Sequence, residues 1–330
     1  MAAGRRGELV PGRIYYAGID IGGTNIKAAL VDQQGGIAAK LETPTSLNGY
    51  SEVCTQIVGL IGRLKATTGN AGMTVQGIGI GVPGYIDPAN GFVNESPNLG
   101  WSNVALKEHM QSLTGLPVLV ENDANTAALG ELWQGAGSDV NDLVMITLGT
   151  GVGCGIVIDR KVVHGSQGFA GEIGHMKVKP KTGIACVCGK KGCLETTSSG
   201  LAIIRESKKA VQLNKKTALR EEFQATGDLS VKQIFDAARN NDRVAMEIIS
   251  EAAFYLGVAL ANTANLINPQ KVIVGGGIAA AGQLYTDLVY AAFCEFALDI
   301  VRDHTRFVPA LLGNDAGVIG SASMMKSYYQ

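Results

Sequence analysis

The sequence predicts an α/β protein of two lobes. Apolar strands alternate with helical patterns along the whole chain, which marks that class. A strand, Gly/Thr turn, strand unit occurs twice, at Tyr15–Asp32 (YYAGIDIGGTNIKAALVD) and at Asp142–Asp159 (DLVMITLGTGVGCGIVID). Two such hairpins suggest a duplicated lobe. At 330 residues the chain is long enough for two lobes with a cleft between them.

Residues 1–13 (MAAGRRGELVPGR) lack the apolar core of a secretory signal and read as a flexible lead. After the first hairpin come an amphipathic helix over Ser51–Thr67 and a strand over Gln76–Gly81. A turn-rich loop from Pro83 to Trp101 follows. The strand Pro117–Glu121 runs through Asn122-Asp123 into an Ala-rich helix, Ala124–Trp133. Beyond the second hairpin, helices are expected over Gly200–Val211, Val231–Arg239 and Ala245–Leu266. Lys271–Gly277 (KVIVGGG) is a buried strand ending in glycines, with a helix after it. Val308–Leu312 is a last short strand and Gly317–Tyr328 a last helix. Lys208–Ser230 matches no motif and reads as a surface helix and loop, a candidate oligomer contact.

The formal net charge is −1, without a block of like charge, which argues against nucleic-acid and membrane surfaces as partners. The longest apolar stretch, Ala252–Ala261, is too short to span a bilayer and reads as a buried helix. Of six cysteines, Cys186, Cys188 and Cys193 lie within eight residues. Cys54, Cys154 and Cys294 are isolated in apolar surroundings and read as packing. That pattern favours a metal and buried thiols over a disulfide framework, and places the protein in the cytoplasm.

His175, Cys186, Cys188 and Cys193 have ten, one and four residues between successive members. One imidazole and three thiolates suit a closed tetrahedral zinc site. Glu172 and Glu195 flank the cluster, so folding it around a metal brings two distant carboxylates together. The metal either staples a loop only, or staples it and shapes an active site. We favour the second.

Asp20, Gly22, Gly23 and Thr24 offer a carboxylate, unhindered backbone N–H groups and a hydroxyl within five residues. Such turns bind phosphate oxygens, and the adjacent Asp can hold Mg²⁺. Gly149-Thr150-Gly151 can act likewise, and Gly275-Gly276-Gly277 leaves room for a flat adenine or ribose. Each alone is an ordinary tight turn; the three together point to a nucleotide. No G-x-x-x-x-G-K-[ST] loop occurs, and GGGIAAAG (Gly275–Gly282) fits the dinucleotide fingerprint poorly.

Asp123 stands at a strand's carboxyl end, where it is either a helix N-cap or a general base. Neighbouring Asn122 tilts the reading to the base, since an amide beside a carboxylate suits hydroxyl recognition. Asn98, Asn122, Asp123, Glu172, His175 and Glu195 are the residue types that bind a polyol, if folding gathers them.

These segments carry a resemblance. DIGGTNIKAALVD from Asp20, GIGIGVPGYID from Gly77, ESPNLGW from Glu95 and ENDANTAALGE from Glu121 are its first half. LGTGVGCGIVID from Leu148, GEIGHM from Gly171, CVCGKKGCLE from Cys186 and VIVGGG from Val272 complete it. In that order the chain resembles the ROK family (repressor, open reading frame, kinase), and within it the bacterial kinases of glucose.

The resemblance implies an actin-like, ribonuclease-H-like ATPase fold of two lobes with a central cleft where ATP and sugar meet. Residues 14–120, joined by helix 317–330, would form the smaller lobe. Residues 121–316, with the zinc loop 171–195, would form the larger. Asp123 is implied as the base that deprotonates the 6-hydroxyl of glucose. Asn98, Asn122, Glu172, His175 and Glu195 would hold the other hydroxyls. ATP and Mg²⁺ fall to Asp20, Gly22, Gly23, Thr24, Lys27, Gly149, Thr150, Gly151 and Gly275–Gly277. His175, Cys186, Cys188 and Cys193 would hold a structural Zn²⁺, and a homodimer is implied. The alternatives are another hexose (fructose, mannose, an N-acetylhexosamine), polyphosphate as donor, and a sugar-sensing regulator. The regulator would need a DNA-binding module, and only about a dozen residues precede the first strand.

Overall fold

The computed structural model of the chain describes residues 14–67, 74–278 and 282–329. The lead at residues 1–13 lies outside them. By backbone contacts the chain divides into two compact units. The first runs to Asn141 and adds Gly155–Gly171 and the chain from Leu311 onward. The second comprises Asp142–Cys154 and Glu172–Ala310.

The first unit is built on a five-stranded mixed sheet. Strands β1 (Ile14–Ile21), β2 (Asn25–Asp32) and β3 (Ile37–Pro44) form an antiparallel meander. Strands β4 (Thr74–Val82) and β8 (Val118–Asn122) extend it in parallel, giving the order β3-β2-β1-β4-β8. Helices α1 (Tyr50–Thr67) and α2 (Leu106–Thr114) contribute to this unit's apolar core, with Ile57, Leu64 and Met110 among its buried residues. Helices α3 (Asp123–Gln134) and α11 (Ala316–Tyr328) pack together, and α11 also lies along β1 and β4. That close approach depends on glycine. A Cβ at Gly79 would overlap the Ser321 carbonyl of α11, and one at Gly320 would overlap the Thr126 carbonyl of α3. Without side chains at these points the helix drops against backbone, and dispersion contacts replace a void.

The turn-rich loop expected over Pro83–Trp101 is instead a small sheet. Strands β5 (Tyr85–Asp87), β6 (Phe92–Ser96) and β7 (Trp101–Val104) form an antiparallel meander there. Each is too short to display alternation, although Ile86, Val93, Trp101 and Val104 are all buried. Strand β3 and helix α2 carry no clear sequence signal for a related reason. β3 is a half-exposed edge without a buried residue, and α2 buries only Leu106 and Met110.

The other five-stranded sheet has the order β11-β10-β9-β12-β13. Its strands are β9 (Leu143–Leu148), β10 (Val152–Ile158), β11 (Lys161–Val162), β12 (Lys271–Gly275) and β13 (Arg306–Pro309). β12 runs parallel to both β9 and β13. The last strand therefore ends at Pro309, short of the expected Leu312. The amides of Leu311 and Leu312 turn away to the Glu131 carboxylate, at 3.1 and 2.8 Å. A buried glutamate outcompetes the ladder for those donors.

The second unit carries α4 (Glu195–Ser198), α5 (Gly200–Gln212), α6 (Leu219–Thr226), α7 (Val231–Arg239), α8 (Arg243–Ile267), α9 (Gln283–Phe296) and α10 (Asp299–Arg302). α8 is capped by Asp242, whose Oδ1 accepts from Ala245 N at 2.9 Å, and ends at Asn268 in the left-handed region. At 25 residues it is long and apolar enough to cross a membrane by length and composition. It is a core helix: its buried residues run from Val244 to Ala264, and it packs against α5, α7 and α9.

Candidate active site

In the first unit, the turn between β1 and β2 is closed by Gly22 N donating to Asn25 O at 2.9 Å. Thr45 holds it from the side, donating its hydroxyl to Gly22 O at 2.7 Å and its amide to Thr24 O at 2.8 Å. Gly23 and Thr24 are left exposed at the tip. The turn is thus held on two sides with Gly23 and Thr24 exposed, a place where backbone amides can meet a phosphate. Asn98, exposed in the β6–β7 turn, lies against it, with its carbonyl oxygen 3.7 Å from where a Gly23 Cβ would stand. Asp20, Gly22, Gly23, Thr24 and Lys27 line one cavity of about 690 Å³. Lys27 Nζ stands 3.8 Å from Asp20 Oδ2. Burial raises the Asp20 carboxyl above its ordinary range; Lys27 opposes that and Glu42 adds to it.

Asn122 and Asp123 divide two tasks. The N-cap of α3 is Asn122, whose Oδ1 accepts from Ala124 N at 2.8 Å and Asn125 N at 3.2 Å. Its Nδ2 donates to Gly84 O at 3.1 Å. The capping alternative for Asp123 is therefore filled by its neighbour. Asp123 is the first helical residue and accepts from Ala124 N at 2.9 Å. Its carboxyl is pushed up to about 6, first by burial and then by the negative charge of Asp20; the backbone N–H groups pull the other way. A carboxylate poised there can take a proton near neutral pH.

In the second unit two segments converge on Val152, the residue after the Gly149–Gly151 turn. Glu195 Oε2 accepts from Val152 N at 3.1 Å. Gly174 of the GEIGH segment sits where a Cβ would overlap the Val152 carbonyl, and a Cβ on Gly151 would overlap the Glu195 carboxylate. Gly149 N bonds Gly151 O at 3.1 Å, and Gly200 N bonds Gly149 O at 2.8 Å, so the turn is braced on both sides. Gly276 packs on the Leu148 backbone and Ile278 N donates to Leu148 O at 3.1 Å, which stitches the end of β12 to the same turn. Gly275 is hemmed in by Met145 and Ala310, whereas Gly277 faces open space.

The ligand atoms of His175, Cys186, Cys188 and Cys193 all lie within 4.8 Å of one another. Cys186 Sγ is 3.6 Å from His175 Nδ1, and Cys188 Sγ is 3.6 Å from Cys193 Sγ. Tetrahedral zinc–sulfur bonds of about 2.3 Å put ligand atoms about 3.8 Å apart, so the donor set and spacing fit that ion. His175 faces two ways: its Nε2 is 3.8 Å from Glu172 Oε2. The arm is tied back by Leu194 N donating to Met176 O at 2.8 Å, directly before Glu195. Lys177 Nζ, 2.7 Å from Cys193 Sγ, went unread in the sequence, as did the Val152 backbone and the pair Glu121–His164. Lys177 had a signal in its place two residues after a metal-ligand candidate. A backbone amide and a lone histidine have none.

The family model described as ROK matches residues 16–328. The chain belongs to the ROK family. Its α/β fold is that family's actin-like ATPase fold, here with two mixed five-stranded sheets. Within the family, it is 42% identical over 313 residues to a glucokinase of Halalkalibacterium halodurans, covering 94% of this chain and 95% of the relative. A solved ROK glucokinase of Streptomyces griseus, in complex with glucose and AMPPNP, is 35% identical with a TM-score of 0.80; the match covers 94% of this chain and 98% of that one. A ROK transcriptional regulator, a homologue of the E. coli Mlc protein, is 28% identical with a TM-score of 0.85 and is covered over 78% of its length.

Proposed function

We propose that the protein phosphorylates glucose at the 6-hydroxyl with ATP, and that Asp123 is the general base. The observation that carries the catalytic reading is Asp123 itself. Relieved of capping by Asn122, it keeps a carboxyl pushed up to about 6 beside the phosphate-type turn. Glucose and ATP are supported by the full-length likeness to glucokinases.

Phosphoryl transfer asks the protein chiefly for positioning and charge. Asp123 accepts the proton of the 6-hydroxyl as that oxygen attacks the γ-phosphorus, and the bond to the β,γ-bridging oxygen of ATP breaks. The amides at Gly23 and Thr24, and those of the Gly149–Gly151 turn, hold phosphate oxygens. Gly277 leaves the space in which adenine or ribose can lie. Asp20, a hard oxygen donor beside this turn, fits Mg²⁺, which when bound offsets negative charge on the phosphates. Lys27 adds a positive charge on the same face.

Glu172, His175 and Glu195 take the remaining sugar hydroxyls, with Asn98 and the free N–H of Asn122 assisting. His175, Cys186, Cys188 and Cys193 would hold zinc, and the ion would act structurally, fixing the arm that ends in Glu195. A cytoplasmic homodimer completes the reading. The test is ADP formation with Mg-ATP and glucose, mannose, fructose, N-acetylglucosamine or N-acetylmannosamine in turn. Strong glucose-dependent turnover supports the proposal, turnover on another sugar alone moves the specificity, and silence on all with zinc present refutes it.

A further inference from the structure

Glu121 is the penultimate residue of β8, two residues before Asp123, with its side chain 5% exposed. Its carboxylate is fully occupied. Oε1 accepts from Asn122 N and from Asn125 Nδ2, both at 2.9 Å. Oε2 lies 2.6 Å from His164 Nε2. A contact that short to a buried carboxylate is charge-assisted and among the stronger hydrogen bonds a protein makes. In agreement, the hydrogen bond to Glu121 raises the His164 imidazole above its ordinary value, against the effect of burial.

His164 opens a short segment that is seated at several points. Ala170 N donates to His164 O at 3.1 Å and closes it on itself. The Phe169 ring meets Tyr85 of β5 edge-on at 5.5 Å. Gly168, at φ +92°, passes so near the Ile86 carbonyl that no side chain fits. The chain then continues within two residues to Glu172, and three more bring it to His175. One carboxylate thus fixes two things: the first turn of α3, which carries Asp123, and the lead-in to the segment that carries Glu172 and His175.

We infer that Glu121 and His164 are positioning residues for sugar recognition, the pair seating residues 164–170 so that Glu172 and His175 leave it in their binding geometry. The inference rests on the sugar-kinase reading above. Removing the imidazole leaves a buried carboxylate without its hydrogen-bond partner and frees the segment at its first anchor, while Tyr85–Phe169 still holds the other end. The loss is one of placement rather than of fold.

The experiment compares wild type, His164→Ala and His164→Gln by steady-state kinetics, with hydrogen exchange over residues 122–125 and 164–171. Gln keeps an N–H donor for Glu121. We expect His164→Ala to raise KM for the sugar about tenfold, the scale on which misplacement of a contact is felt, with kcat and KM for ATP within about threefold. Exchange over 164–171 accelerates, and His164→Gln restores most of both. An unchanged sugar KM in His164→Ala overturns the inference. So does a joint fall in kcat and both affinities with a lower Tm that Gln does not rescue, since that is a purely structural role. Should the wild type turn over no sugar, the proposed activity fails by itself. Unchanged exchange over 164–171 in His164→Ala then overturns the seating separately, and accelerated exchange upholds it.

Discussion

Asn122 caps α3 with its own side chain and so releases Asp123, the next residue, from structural duty. The Asn122 oxygen serves two backbone donors and its nitrogen a third partner, Gly84. Asp123 accepts from the Ala124 amide, and the charge that acts on its carboxylate is the negative one of Asp20. A helix terminus normally spends its acidic residue on free N–H groups. Here an amide does that work, and the acid remains available to a proton.

Asp123→Asn is therefore expected to abolish catalysis while leaving the protein intact. Loss of a positioned general base costs roughly 10²–10⁴-fold in rate, and Asp123→Ala should fall in the same range. Nucleotide binding, followed by a fluorescent ATP analogue, should survive in both. Sugar-dependent ADP release at the wild-type rate in either variant would falsify the assignment.

The raised carboxyl sets a pH dependence with a definite sign. Below about pH 6 Asp123 holds its proton and cannot accept another, so kcat/KM for the sugar should decline about tenfold per unit on the acid side. Stability runs opposite. Because the folded state raises this carboxyl from 3.8, its protonated form is the favoured one, and that contribution is lost as pH rises from about 4 through about 6. Asp123→Asn should then melt higher than wild type at pH 8 and close to it at pH 4. Calorimetry at the two pH values decides this, and an equal Tm difference at both would exclude Asp123 as the source.

Gly151 and Gly277 are predicted to answer the same substitution differently. A Cβ at Gly151 would displace the Glu195 carboxylate from the Val152 amide, and the backbone there is not in the left-handed region. Gly151→Ala should lower kcat/KM for the sugar on the order of tenfold, because a catalytic contact is misplaced. Gly277→Ala meets nothing among the described residues, so its Tm should hold while KM for ATP rises. An unchanged KM for ATP would remove Gly277 from the nucleotide site.

The sequence conveyed the α/β class, both hairpins and most helices, because long periodic segments report their own burial. Val231–Arg239 was legible to the residue, with Ser230 and Gln233 forming a capping box. The zinc set was legible because His and Cys at ligand spacing have few other uses. What stayed hidden depends on partners far along the chain. β13 stops early because Glu131, 180 residues upstream of Leu311, claims its donors. The Gly275-Gly276-Gly277 run looked uniform, yet two of its members are packing glycines and only Gly277 opens outward. Glu121 sat inside a recognised motif, but its tie to His164 spans 43 residues and leaves no local pattern.

Removal of the metal should weaken sugar binding without touching the first unit's phosphate turn. The ligand atoms of His175, Cys186, Cys188 and Cys193 lie together, and the arm between them returns to Met176 O through Leu194 N immediately before Glu195. Without a cation nothing links the sulfurs of Cys188 and Cys193 across their 3.6 Å, and Lys177, exposed, reaches Cys193 only from outside. The chelated protein should therefore loosen at residues 176–194, and the Glu195 contact with Val152 should go with it. We expect sugar KM to rise tenfold or more after zinc is stripped, an effect of the size seen when outer groups of a metal site are lost. KM for ATP should change far less, and added Zn²⁺ should reverse the loss. Cys188→Ser should reproduce the stripped state and resist zinc rescue. If a folded, zinc-free protein binds sugar as tightly as the loaded one, the ion is a staple alone and Glu195 owes its position to Val152 and Gly151.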